Sequence, residues 1–245
     1  MAGFSSIGLR EMEAVELMSR FDSKYIFNRS LLTGFLLQLQ PYYKVLTIDG
    51  LPLFRYENLY FDTPALQSYT DHHNGKAGRF KVRLRRYTDT SKSYLEVKKK
   101  TNKGQTLKSR QRAEGISREL TAAQLDFAKS QLGRPDITLL PQLANNFSRI
   151  TLVNEKDRER VTIDLLIHFS NNTTEKSLDD LVIAEVKQHR STSLSAFKKL
   201  MQSNRIFPTG FSKYCLGTLL TCSGIKYNRF KPKLTALNKI CNAAD

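Results

Sequence analysis

Apolar residues recur at period two over several long stretches of the chain and at helical spacing between them. Leu9 to Ser19 places Leu9, Met12 and Glu16, or Val15 and Met18, at helical spacing and predicts a short amphipathic helix. Arg20 to Phe27 alternates and predicts a strand. Ser30 is the expected N-cap of a helix to Gln40 that Pro41 stops. Arg55 to Phe61 reads as a strand, and Pro64 to His73 as a helix opened by proline and ended by Asn74-Gly75. Arg79 to Tyr87, Ser93 to Lys100 and Gln105 to Ala113 are extended. Thr88-Asp89-Thr90-Ser91 and Asn102-Lys103-Gly104 separate them, which predicts an antiparallel meander. Thr121 caps a helix to about Leu132. Further strands are expected near Asn146 to Val153, Arg160 to Phe169 and Leu181 to Gln188, then helices from Ser193 to Asn204 and from Ser212 to about Cys222. Many antiparallel strands with helices at their edges predict an α+β fold with enough strands to close a barrel. Without low-complexity linkers or repeats, the expected organisation is one domain over 1–245, with a core of about 20–222 and a helical C-terminal tail.

Charge changes this picture more than composition does. Lys and Arg total 39 against 23 Asp and Glu, a formal net charge of +16. A compact state with that excess repels itself, so an anionic partner is expected: nucleic acid, an acidic membrane surface or a phosphate-rich small molecule. The three cysteines, Cys215, Cys222 and Cys241, have no metal-like spacing and read as reduced core thiols. The N-terminus lacks a signal-peptide apolar region, and the most apolar stretch, Leu31 to Leu39, is far too short to span a bilayer. A soluble, cytoplasmic protein is expected.

The excess is concentrated between Lys76 and Arg118, where fifteen Lys or Arg face three Asp or Glu. Period two puts Lys81, Arg83 and Arg85 on one face of their strand, with Val82 and Leu84 on the other. Glu96, Lys98 and Lys100 share a face of the next strand, opposite Leu95 and Val97, and Lys108, Arg110 and Arg112 alternate in the third. Like charges facing one another across a ladder destabilise it. Such a face makes sense under multivalent phosphate, which Arg grips bidentately and Lys meets as a point charge. Within this pattern Glu96 and Glu185 are each either a local ion pair or a ligand for a divalent metal that accompanies phosphate.

Six segments then occur in order: Tyr60-Phe61-Asp62-Thr63-Pro64, Lys81-Val82-Arg83-Leu84-Arg85, Leu95-Glu96-Val97-Lys98, Arg160-Val161-Thr162-Ile163-Asp164, Glu185-Val186-Lys187 and Phe211-Ser212-Lys213-Tyr214. From about Arg20 to Gly217 the chain resembles the VTC domain, the polyphosphate polymerase module of the triphosphate tunnel metalloenzyme (CYTH-like) superfamily. The resemblance implies a closed antiparallel β-tunnel lined by Arg and Lys. Its implied activity is ATP-dependent transfer of the γ-phosphoryl onto a growing polyphosphate chain with Mn2+ or Mg2+. Position by position, it implies roles for Lys24, Arg83 and Arg85 (with Lys81 beside them), Lys98 or Lys100, Lys108, Arg149 and Arg160. Glu185 becomes the metal ligand, with Lys187 next to it, and Ser212 and Lys213 form the pair opening the last shared helix.

The chain departs from the pattern at three places. Relatives that cleave triphosphates carry Glu-x-Glu-x-Lys on the first strand, whereas Arg20-Phe21-Asp22-Ser23-Lys24 keeps the lysine and puts arginine in place of one acid. Gly210 stands where some eukaryotic members have a further lysine, and His72 near where they have an arginine; it is a candidate for nucleotide or phosphate contact or a surface helix histidine. Fewer acids favour a polymerase over a tunnel phosphohydrolase. A catalytically inert polyphosphate-binding module is the other alternative. Nucleic acid is not an expected partner, because the basic strands alternate with Val and Leu rather than with stacking aromatics. ATP and polyphosphate are the expected partners, and any coupling to a membrane falls to a separate partner.

Overall fold

The alternating segments pair into a single eleven-stranded sheet. The structure is a computed structural model and describes residues 3–14, 20–103, 105–189 and 194–241. Its strands are β1 (Ser6–Ile7), β2 (Arg20–Asn28), β3 (Lys44–Leu46), β4 (Leu53–Asp62), β5 (Phe80–Tyr87), β6 (Lys92–Lys100), β7 (Thr106–Ala113), β8 (Leu140–Asn154), β9 (Glu159–Ser170), β10 (Glu175–Leu178) and β11 (Leu181–His189). Its α-helices are α1 (Leu9–Ala14), α2 (Leu32–Leu39), α3 (Gln67–His73), α4 (Ala122–Leu132), α5 (Ala196–Ser203), α6 (Lys213–Thr221) and α7 (Lys231–Cys241). The main path runs β2-β11-β9-β8-β4-β5-β6-β7, antiparallel throughout. β3 extends the β4 side of β8 and carries β1 parallel to itself, while β10 pairs with the end of β9.

The α+β expectation holds, and among the described residues the sheet is not closed into a ring. β2 and β7 end the path, and among the described residues no ladder joins them. Two features oppose that closure. The backbone of β2 is covered by the segment before α6, where the Thr209 N–H donates to the Lys24 carbonyl at 2.7 Å. The outer strand β7 carries Lys108, Arg110 and Arg112, the charged edge that discourages further pairing. The sheet nevertheless curls. β2 and β5 are separated by four strands and would lie about 24 Å apart in a flat sheet. Instead the Lys24 charge acts on Lys81, and Lys24 and His72 line one cavity.

Helices cover the outer face through the apolar half of each alternation. Phe80, Val82, Leu84, Leu95 and Val97 pack with Ala128 and Leu132 of α4. Val82, Leu84 and Leu95 are fully buried, each contributing about 1.5–3 kcal/mol by leaving water. Phe35 and Leu39 of α2 and Phe197 and Met201 of α5 cover Phe27, Leu152, Val161 and Val182 in the same way. α6 instead lies on the inner face with α3 and α7, against Tyr60, Leu143, Phe147, Phe169 and Ile183. Gly217 permits that approach, because a Cβ there would collide with Phe169 and Leu143.

Several element boundaries differ from expectation. Asn28, not Ser30, caps the turn before α2 by accepting from the Ser30 N–H at 2.8 Å, and α2 begins at Leu32. The helix expected from Pro64 starts at Gln67, after Leu66 adopts a left-handed conformation (φ 51°). Asp62 takes the capping role there, accepting from Thr63, Ser68 and Tyr69 N–H groups. β8 is far longer than expected because Leu140 to Asn145 pairs with the whole second half of β4. Thr121 caps α4 as expected, in a capping box with Gln124. The short β1, β3 and β10 lack enough residues to show a period. The second half of the helix expected to Ser19, Gly104 of the second turn, and Ser193 lie outside the described residues.

Candidate functional site

Cross-strand partners share a face of a sheet, so the register alone assembles the inner surface. Lys24, Glu185, Thr162 and Thr151 are neighbours across β2, β11, β9 and β8. Arg149 faces Asp164 and Phe54, and Tyr60 faces Arg83, which faces Glu96 and then Arg110. Lys81, Lys98 and Lys108 form a row across β5, β6 and β7, with Lys100 at the next inward position of β6. Val153, Arg160, Lys187 and Asp22 form another across β8, β9, β11 and β2. Every strand residue expected at the site therefore lies on one concave face.

Three carboxylates organise it, Glu96 and Asp164 buried and Glu185 half-buried, each shared by two cations. Glu96 accepts from Arg83 Nε at 2.8 Å and Nη2 at 2.5 Å, with Lys108 Nζ at 2.8 Å from its other oxygen. Asp164 accepts from Arg149 Nε at 2.5 Å and Nη2 at 2.8 Å, and Lys213 meets the same carboxylate. Glu185 lies 3.6 Å from Lys24 and 3.5 Å from Lys187. Burial pushes all three carboxyls up, yet the cations outweigh it. Arg83, Arg85 and Lys108 hold Glu96 well below the ordinary range, and Arg149 and Lys213 do the same to Asp164. Lys187, Lys24, Arg149 and Lys213 bring Glu185 down to about 2. All three are thus ionised, and each leaves its cation pair with one surplus positive charge.

Other cations lack such compensation. Arg83, reinforced by burial, Arg85 and Lys108, lowers the Lys98 pKa to about 6 from 10.5. Burial, then Lys24 and Arg83, lower Lys81. Burial and Arg83 also lower Arg85, whose Nε donates to Asn58 Oδ1 at 2.8 Å and whose guanidinium sits 5.4 Å from the Tyr56 ring centroid. Arg149 stacks on Tyr56 and Phe147 at 4.9 and 5.2 Å, and Lys213 lies 4.5 Å from the Phe147 ring centroid. Burial raises the Tyr60 phenol, but Arg83 and Arg85 bring it below its ordinary value.

The remaining expected residues fall at the ends of this face. A cavity of about 370 Å³ is lined by Lys24, Glu185, His72, Ser212, Gly210 and Arg79, among others. Ser212 caps α6 by accepting from the Cys215 N–H at 3.3 Å. His72 is held neutral by burial and by Lys81, its pKa lowered to about 3. Its Nδ1 lies 2.7 Å from the Ser68 carbonyl, which can only accept, so Nε2 is left as an acceptor. Lys100 adds to the charge acting on His72, whereas Lys98 lies among the arginines. Arg160 shares the face, and its Nη2 donates to the Met12 carbonyl at 3.1 Å at the end that Met12 covers with Phe54 and Val153.

Sequence reasoning assigned no role to Asp164, Tyr56, Asn58 or Tyr60. Period two within β4 places the last three on one face, and Asp164 ends the Arg160 segment, so both signals were present. Among the described residues no group of three His, Cys, Asp or Glu could hold a metal ion, Cys215, Cys222 and Cys241 are free thiols, and no helix is long and apolar enough to cross a membrane.

Comparison with known proteins bears on the whole arrangement. A protein from Bacillus halodurans described provisionally as an adenylate cyclase shares the fold at a TM-score of 0.50 and 15% identity, covering 80% of this chain and 94% of its own. A protein from Hippeastrum, named provisionally as an adenylyl cyclase and described as having a dominant triphosphatase activity, matches at 0.50 and 16%, covering 84% and 98%. Both carry the triphosphate tunnel (CYTH-like) fold. No curated protein sequence matches the chain. The VTC domain family model matches residues 19–222, most of the chain and all of the strands that build the cationic face, and the protein belongs to the VTC domain family.

Proposed function

We propose that this protein is an ATP-dependent polyphosphate polymerase. In this reading the curled sheet forms a tunnel along which a linear phosphate chain lies, and the γ-phosphoryl of ATP is added to the chain end. The observation that carries it is the row of Lys81, Lys98 and Lys108 beside Arg83 and Arg85 on a concave face. These cations repel one another strongly enough to bring Lys98 to about 6, a cost that a multivalent phosphate chain offsets.

The reaction asks the protein for position and charge rather than covalent chemistry. A terminal oxygen of the chain attacks the γ-phosphorus, the bond from that phosphorus to the β,γ-bridging oxygen breaks, and ADP leaves. Arg83 and Arg149 are locked by Glu96 and Asp164, so they meet charge developing on the transferring group without reorganising. Arg85 commits Nε to Asn58, and its terminal nitrogens are available to fork a phosphate. Lys213 works beside Arg149, and Lys24, Lys81, Lys98, Lys100, Lys108 and Lys187 neutralise the chain. Arg160 bounds the far end of the face and Ser212 the near end. The neutral His72 accepts a hydrogen bond from a hydroxyl or amino group rather than binding phosphate by charge.

The donor set fits Mn2+ or Mg2+ only in one manner. The cations of Glu96 and Asp164 bond them directly, within 2.8 Å, whereas the two lysines beside Glu185 stand 3.5 and 3.6 Å away, which leaves Glu185 to hold the metal together with substrate phosphate oxygens, the arrangement usual for Mg2+ on nucleotides. A bound divalent ion would supply further charge neutralisation there.

A tunnel phosphohydrolase is the second reading, favoured by the triphosphatase activity described for the Hippeastrum protein of the same fold. Incubation with ATP and Mn2+ or Mg2+ separates the two. The polymerase reading expects acid-labile chains with ADP in proportion; ADP with free phosphate and no chains contradicts it.

A further inference from the structure

Beyond residue 222, where the family match ends, the chain continues into α7. This tail is fastened to the domain at several points. Tyr69 Oη donates to the Lys226 carbonyl at 2.8 Å, the Arg229 N–H donates to His73 Nε2 at 3.2 Å, and Asn28 Nδ2 donates to the Ile240 carbonyl at 2.7 Å. Phe230 and Leu237 are buried in the core beneath α6. Lys233, on the first turn of α7, is fixed by this attachment at the cavity that Lys24, Arg79 and His72 also line. Its Nζ lies 5.4 Å from the Phe230 ring centroid and 3.6 Å from the position a Cβ on Gly210 would take. Gly210 has no side chain, so the ammonium of Lys233 occupies the space above it. Among the described residues Lys233 has no carboxylate partner, unlike Lys24, which is tied to Glu185.

We propose that Lys233 is a binding residue for the terminal phosphate of a linear phosphate chain, so that a segment outside the family-matched residues completes the cationic face. The proposal rests on the phosphate-chain reading above. A compact ammonium over an open cavity, next to Lys24 of β2 and Arg79 just before β5, suits a terminal phosphate with its extra charge. The Phe230 ring lies beneath the ammonium without supplying a negative charge that would neutralise it.

The test is titration calorimetry of the full chain with tripolyphosphate at low salt, comparing wild type, Lys233→Met, Lys239→Met and Arg83→Ala. Lys239 lies on another face of α7 and is exposed, so it controls for net charge and for helix stability. Lys233→Met is expected to weaken binding about fivefold, with Lys239→Met within about twofold of wild type. Equal losses in the two lysine variants would overturn the proposal, since net charge would then suffice. Wild-type affinity in Lys233→Met alongside lost affinity in Arg83→Ala would overturn it while leaving the phosphate-chain reading intact. Wild-type affinity in Arg83→Ala as well would overturn both.

Discussion

Arg83 grips Glu96 through two nitrogens, at 2.8 and 2.5 Å, on a carboxylate side chain only 1% exposed. Arg83 also lies 5.8 Å from the Tyr60 ring centroid, so it packs on an aromatic ring as well as neutralising a buried acid. Arg83→Ala leaves Glu96 paired with Lys108 and within the field of Arg85, and is expected to cost about 2–3 kcal/mol of stability, below the usual loss for a fully orphaned buried charge. The double variant Arg83→Ala/Glu96→Ala should recover part of that loss without recovering phosphate-chain affinity. Denaturant unfolding and tripolyphosphate titration on the set check this; a double variant that regains affinity would contradict the role of Arg83.

Lys98 gives a pH signature. Its folded pKa of about 6 lies below 10.5, so the unfolded chain binds more protons and stability tied to this group rises with pH between those values. Lys98→Met is expected to raise Tm by about 2–4 °C at pH 7 while weakening tripolyphosphate binding. An anion restores the ammonium, so binding near pH 7.5 should take up a proton. Calorimetry in buffers of different ionisation enthalpy reads that uptake directly, and its persistence in Lys98→Met would assign it elsewhere.

The three carboxylates titrate in the opposite sense. Glu96, Asp164 and Glu185 have folded values below their ordinary ones, so their contribution is full at neutral pH and is lost as pH falls through the folded values. For Glu185 the window runs from 4.5 down to about 2. Tm should therefore fall across that range, and Asp164→Asn should flatten the fall. The same variant releases Arg149 and Lys213 from their shared partner and is expected to lower turnover about tenfold or more with intact secondary structure. Unchanged turnover would remove the positioning role from Asp164.

Glu185→Gln separates metal use from anion binding. It removes the carboxylate proposed to share a metal with substrate, so activity should lose its response to Mn2+ or Mg2+. Tripolyphosphate affinity without metal should hold or rise, because Lys24 and Lys187 are released from Glu185. A metal titration of activity unchanged from wild type would sink that role.

Much of this was legible in the sequence for a physical reason. Strand faces follow from period two, so the shared face of Lys81, Arg83 and Arg85 needed no structure. The VTC segments then ordered the later strands. Three things were not legible. Which carboxylate pairs with which arginine depends on register between strands distant in sequence, so Asp164 was passed over although it ends a recognised segment. The open edge at β2 depends on a loop hydrogen bond from Thr209 to Lys24 that no periodicity reports. The left-handed turn at Leu66, which delays α3, sits at a residue type that sequence rules do not expect there.

The proposed function requires a linear phosphate chain to lie along the concave face between β2 and β7. A crystal structure with tripolyphosphate bound tests it most directly. Ordered phosphates within hydrogen-bonding distance of Arg83, Arg85, Lys98 and Arg149 are the expected result. Phosphates bound only at the outer surface, with this face holding none, would contradict it.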